Sequence, residues 1–169
     1  IVALRQTNVL ITFSLAWIFV YTFLNKITTE LNDSLYKKLV VSSGLATSSL
    51  VFFSFWLPSP SYNSLALQAL IICSTSILLI SQKDSSDKNF PWLLLGISVW
   101  ILFLAKPTSA ALLCLLLFVY ILFSRKFFIK KLLISSVTFL ILLGITALLI
   151  DGTILKFIKR LEISFYYSQ

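Results

Sequence analysis

The sequence predicts an all-α integral membrane protein of about six transmembrane helices, followed by a C-terminal amphipathic helix lying in the interface. Three observations predict it. Of 169 residues, 59% are hydrophobic, 15% are aromatic and only 12% are charged, with a mean hydropathy of +0.98. Soluble domains carry about 25% charged residues and 45–50% apolar ones. The apolar residues fall into runs of membrane-spanning length, and the 14 basic and 6 acidic residues lie mostly in the short segments between those runs. The chain opens on Ile1-Val2-Ala3-Leu4 rather than on methionine, and we expect it to be a piece of a longer protein.

A hydrocarbon core about 30 Å thick needs roughly 20 apolar residues of helix. The first run, 9–24, holds no charge and ends at Asn25-Lys26. The second, 39–57, is bounded by Lys37-Lys38 and Pro58, and the third, 62–80, ends in the polar segment 81–89. From Phe90 to Ser124 the chain is apolar except for Lys106-Pro107 near the middle. As one helix this stretch would be about 52 Å long, too long for one passage. Proline disrupts helix interiors but starts helices well, so we expect two spans, 90–105 and 107–124, with a sharp reversal between them. The sixth span is 132–150. Residues 1–151 thus form a partial polytopic transmembrane domain, and 152–169 an interfacial tail. In the tail, Ile154, Ile158, Leu161 and Phe165 recur at helical spacing, with Lys156, Lys159, Arg160 and Glu162 between them. That pattern predicts an amphipathic helix in the interface, serving as a membrane anchor or, in the other reading, as a wall of an active-site cleft. Asp151 is expected to serve as a helix cap or loop residue, with a catalytic acid as the remote alternative.

Composition excludes several functions. With no histidine, metal sites built on imidazole and triads using histidine are impossible. Cys73 and Cys114 sit inside apolar runs without CxxC spacing and are expected to be small buried hydrophobes. No cofactor is identifiable, no metal site is found, and the sequence leaves divalent-metal dependence open. The formal charge of +8 does not imply nucleic acid, because the cations flank apolar runs, the membrane pattern. Ser42, Ser43, Thr47, Ser48 and Ser49 in the second run and Ser74, Thr75 and Ser76 in the third are expected to serve helix packing, their hydroxyls satisfying backbone carbonyls; a polar track for substrate is the other reading.

Six crossings put the connecting segments on alternating sides. Segments 25–38, 81–89 and 125–131 carry Lys26, Lys37, Lys38, Lys83, Lys88, Arg125, Lys126, Lys130 and Lys131, nine cations. The opposite side carries five, Arg5, Lys106, Lys156, Lys159 and Arg160. The excess assigns the first side to the cytoplasm. The outer side presents two short reversals, around Pro58-Ser59-Pro60-Ser61 and at Lys106-Pro107. Trp56 and Tyr62 suit the interfacial belt. Lys106, the only charge in its apolar stretch, is either a snorkelling anchor or a functional cation.

These features together resemble a bacterial membrane glycosyltransferase of the GT-C type, in the family of dolichyl-phosphate-mannose protein mannosyltransferases and lipid A aminoarabinose transferases. The resemblance runs from about Leu4 to Ser124. It consists of Leu4-Arg5-Gln6-Thr7-Asn8 before a span, a basic loop, and a span ending in proline. An outer opening then reads Pro58-Ser59-Pro60-Ser61-Tyr62-Asn63-Ser64-Leu65, and a glycine-containing run, Leu94-Leu95-Gly96, leads to Leu104-Ala105-Lys106-Pro107-Thr108. The resemblance implies transfer of a sugar from a polyprenyl-phosphate donor to a glycan, lipid or protein acceptor on the outer face. It implies a carboxylate as general base for the acceptor hydroxyl, expected upstream of Ile1, and cations that hold the lipid phosphate. Lys106 and Arg5 are the candidates for the phosphate, with Ser61, Tyr62 and Asn63 facing substrate. Many relatives carry an acidic residue after the proline, where this chain reads Ser61-Tyr62-Asn63; Ser61 and Asn63 can hydrogen-bond a sugar or acceptor but cannot serve as a base. The 169 residues alone are therefore expected to be inactive. Two other readings stay open: a polytopic transporter or flippase, for which no repeat between the two halves is evident, and a non-catalytic membrane scaffold subunit.

Overall fold

A computed structural model describes residues 2–27, 35–55, 59–82, 88–123 and 129–166. Within them the chain is all-α: α1 (Val2–Ile27), α2 (Leu35–Ala46), a 3-10 segment (Thr47–Val51), α3 (Phe52–Phe55), α4 (Tyr62–Ser81), α5 (Phe90–Ala105), α6 (Pro107–Phe123), α7 (Ile129–Asp151) and α8 (Ile154–Tyr166). Three of these, α1, α4 and α7, are long and apolar enough to cross a membrane, whereas α5 and α6 are shorter apolar helices. Trp56, Pro58, Lys83, Arg125 and Lys126, and large parts of the three segments assigned to the cytoplasm, lie outside the described residues.

Each boundary has a local cause. Helix α1 starts well before the expected residue 9 because nothing from Val2 onward opposes a helix: there is no proline or glycine, and Arg and Gln are good helix formers. Ser61 caps α4 in a reciprocal capping box, its side chain accepting from the Ser64 N–H at 3.3 Å while the Ser61 N–H donates to Ser64 Oγ at 3.0 Å, which satisfies N-terminal donors that would otherwise be orphaned. The reversal at Lys106-Pro107 falls where the sequence puts it. Helix α5 ends at Ala105, Lys106 is extended at φ −152°, and Pro107 starts α6.

The second expected span departs from a simple helix. Thr47, Ser48 and Ser49 donate their hydroxyls to the carbonyls of Gly44, Leu45 and Ala46, each three residues back. Hydroxyls bonding back to nearby carbonyls compete with the regular helical ladder, and here the backbone tightens into a 3-10 segment between α2 and α3. The same back-bonding occurs at Ser42, Ser43, Thr75 and Ser76, while Ser42, Thr75 and Ser76 are buried, in keeping with a packing role.

Contacts fix the directions of the helices. Arg5 meets Ser59, Asn8 meets Gln68 and Lys26 meets Ser81, so α1 and α4 run parallel. Lys106 meets Tyr62 at one end of the α4–α5 pair, and Ile80 clusters with Trp92 at the other, so α4 and α5 are antiparallel. Asn89 meets Lys131, and Trp100 donates to Thr146 Oγ1 at 3.0 Å, so α5 and α7 are parallel. The core lies around α5, where Cys73, Ile80, Trp92, Leu95 and Leu117 form one cluster and Ala69, Leu102 and Ala110 another. Helices α5 and α7 cross closely at Gly96, where an added Cβ would stand 2.5 Å from the Ser135 carbonyl oxygen. Small residues at such crossings let apolar helices gain dispersion contacts where lipid offers no hydrophobic drive. The outer faces of α6 and α7 expose Leu112, Leu115, Leu116, Leu140, Ile141 and Leu149, surfaces suited to hydrocarbon. Cys73 is buried as expected, but Cys114 is exposed, because it lines an open cleft between α5, α6 and α7 rather than packing in the core.

Candidate functional site

The contacts sort the polar residues to two ends of the bundle. One end gathers Arg5, Ser59, Ser61, Tyr62 and Lys106; the other gathers Lys26, Ser81, Asn89 and Lys131. The first end contains all five residues the sequence singles out, Arg5, Ser61, Tyr62, Asn63 and Lys106.

Arg5 is exposed on the first turns of α1, and its Nε donates to Ser59 Oγ at 3.1 Å. Lys106 caps α5, where its extended backbone separates two helices, and its Nζ lies 4.9 Å from the centroid of the Tyr62 ring. This cation–π contact holds the ammonium over the aromatic face; Tyr62 is exposed, whereas Lys106 is half-buried. Ser59 and Tyr62 are three residues apart, so both cations are tied to one short stretch ahead of and into α4. Among the described residues neither Arg5 nor Lys106 has an acidic partner, the ion pair there being Arg160 with Asp151 at 2.7 Å. Two cations held by neutral groups at one end of an apolar bundle can receive a phosphate or carboxylate. Ser61 is engaged in the capping box, which commits its hydroxyl to structure. Asn63 is partly buried in the first turn of α4. Among the described residues no group of three or more Cys, Asp or Glu could hold a metal ion, and Asp151 is taken up by Arg160.

Beneath this end lies a feature the sequence reading missed. The buried Gln68 amide donates to Asn8 Oδ1 at 2.9 Å and to Thr12 Oγ1 at 3.0 Å, and Thr12 donates in turn to the Asn8 carbonyl at 2.8 Å. The signal was present: Arg5, Asn8 and Thr12 on α1, and Ser61, Ser64 and Gln68 on α4, each recur at i, i+3, i+7, which puts each set on one face. Two polar stripes on parallel helices close against each other below the surface cations.

A second feature is a cavity of about 510 Å³ between α5, α6 and α7, lined by Gly96, Phe103, Pro107, Cys114, Ser135 and Phe139 among others. No charged residue lines it, so it offers room for hydrocarbon. Comparisons with family models, with curated proteins and with solved structures found no match.

Proposed function

We propose that this chain is part of a bacterial membrane glycosyltransferase that takes a sugar from a polyprenyl-phosphate donor at the outer face of the inner membrane, with Lys106 and Arg5 holding the donor phosphate. The observation that carries this reading is the pairing of two cations without acidic partners, Arg5 on Ser59 and Lys106 on Tyr62, at the same end of the bundle. A lipid phosphate leaving group gains charge as the sugar departs, and preorganised cations lower that barrier. The general base belongs to residues before Ile1 in this reading.

The proposal includes six crossings. Parallel α1 and α4 require a return passage between them, and α2, the 3-10 segment and α3 together reach about 34 Å, enough to make it. Likewise α5 reaches the Lys106–Tyr62 end, and α6 returns from it before α7 begins.

The test is sugar transfer from polyprenyl-phosphate donors by membranes containing the full-length protein. Lys106→Ala and Arg5→Ala are each expected to lower turnover roughly 10- to 100-fold, the effect of losing one charge-assisted hydrogen bond to phosphate, with partial recovery in Lys106→Arg. Full activity in the Lys106→Ala/Arg5→Ala double variant would refute the phosphate role. A wild-type protein that moves no sugar, and a Lys106→Ala variant that changes uptake of a solute, would replace the transferase with a transporter.

A further inference from the structure

Helix α8 has more surface than its docking uses. The chain leaves α7 through Gly152, whose φ of +70° and N–H bond to the Leu148 carbonyl at 3.0 Å terminate that helix. A left-handed glycine at this position is the usual helix stop, and it redirects the chain away from the α7 axis. Helix α8 is then fastened at two points. Phe157 is buried, and Arg160 pairs with Asp151 while its guanidinium lies 5.7 Å from the Phe157 ring centroid.

Those contacts leave Ile154, Leu155 and Ile158 at 53%, 80% and 54% exposure. They fall on the same broad side as Phe157 and Leu161 when placed at 100° per residue. On the opposite side stand Lys156 and Lys159, both exposed and without an acidic partner among the described residues. The acid on α8, Glu162, is exposed and falls between Ile158 and Leu155, and exposed Ile163 falls between Lys159 and Lys156; with Arg160 paired to Asp151, two lysines stand against that one acid. An apolar face beside a cationic one, on a helix turned off the axis of a membrane-spanning neighbour, has the geometry of an in-plane helix whose side chains reach hydrocarbon and headgroups together.

We propose that α8 is a binding element for anionic phospholipid headgroups, with Ile154, Leu155 and Ile158 seated in the acyl boundary and Lys156 and Lys159 on lipid phosphates. Charge complementarity selects this occupant over a protein partner: the unpaired groups are flexible cations beside exposed aliphatics, whereas a packed protein interface is depleted in lysine. The inference is independent of the transferase reading, since it uses none of the residues assigned to the donor.

The experiment is hydrogen–deuterium exchange on the full chain in nanodiscs, comparing phosphatidylcholine alone with an equal mixture of phosphatidylcholine and phosphatidylglycerol. Amides of α8 are expected to exchange roughly tenfold more slowly in the anionic discs, from the attraction of two lysines to a negative surface. The difference should shrink in about 0.5 M salt, where the Debye length is a few ångströms, and vanish in Lys156→Gln/Lys159→Gln. Exchange in α7 reports whether the variant remains folded. Equal exchange of α8 in the two lipids, whether fast or slow, overturns the proposal; slow exchange in both would assign the apolar face to neutral lipid or to protein.

Discussion

At the scale of single residues, glycines and one buried amide separate packing from mere composition. Gly96 and Gly144 both lie in apolar helices, yet a Cβ at Gly96 would press on the Ser135 carbonyl oxygen and Thr138, whereas one at Gly144 meets nothing within 4 Å. Gly96→Ala must push α5 from α7 against backbone, which cannot rotate away, and should cost about 1–3 kcal/mol. Gly144→Ala should be neutral or stabilising by up to about 1 kcal/mol, because alanine is the better helix former. Denaturant titration in mixed micelles would measure both, and equal effects would sink the close-approach argument. Gln68→Leu removes two interhelical hydrogen bonds from a buried seam. Its expected cost in the same titration is about 1–2 kcal/mol, and a loss near zero would mean that Asn8 and Thr12 find other partners. The sequence displayed this seam as two i, i+3, i+7 stripes, but each stripe straddles the edge of an apolar run. Reading runs by average hydropathy hides such stripes, because a few amides barely lower the mean of twenty apolar residues.

At the scale of elements, the run 39–57 shows where hydropathy stops being informative. It marks where apolar residues lie but is blind to hydroxyl back-bonding, and so to the five-residue 3-10 segment at Thr47–Val51. Replacing Thr47, Ser48 and Ser49 together by alanine removes all three competing donors and should restore one continuous α-helix. A five-residue segment that passes from about 2.0 to 1.5 Å rise per residue shortens by about 2.5 Å. Pulsed EPR between labels at Leu39→Cys and Phe53→Cys, in a Cys73→Ala/Cys114→Ala background, would register that contraction. An unchanged distance would show that tertiary contacts, not the hydroxyls, hold the 3-10 geometry. By contrast, the Lys106-Pro107 break was legible residue for residue, because proline's missing N–H and fixed φ act locally. The tail was legible in its periodicity, though not in the burial of Phe157 or the Arg160–Asp151 pair, which depend on how α8 meets α7.

At the scale of the whole molecule, chain direction carries information that helix length does not. Only α1, α4 and α7 meet the length expected of a span among the described residues, yet a protein with just those three crossings would have to join the distal end of α1 to the opposite end of α4 without passing the membrane. The contacts favour the six-crossing proposal over this: Arg5 reaches Ser59 at one end and Lys26 reaches Ser81 at the other, so α1 and α4 are parallel. Similarly, α5 begins beside Lys131 and finishes over Tyr62, so the α5–α6 hairpin runs the depth of the bundle. As a span in that proposal, short α5 would be tolerable because it packs against α4, α6 and α7, which removes most of the mismatch that a 16-residue helix would face alone. On the six-crossing proposal, residues 59, 108 and 153 fall on one side and 88 and 130 on the other. Single cysteines at these positions, in the cysteine-free background, are expected to divide accordingly when intact cells meet a membrane-impermeant maleimide: Ser59→Cys, Thr108→Cys and Thr153→Cys label at once, and Lys88→Cys and Lys130→Cys only after permeabilisation. Inverted labelling of all five would keep the fold and reverse the orientation, moving Arg5 and Lys106 to the cytoplasm and ending the outer-face transferase proposal. Labelling of Thr108→Cys together with Lys88→Cys and Lys130→Cys would instead make α5 and α6 a hairpin that enters and leaves on one side, and the count of six would fall.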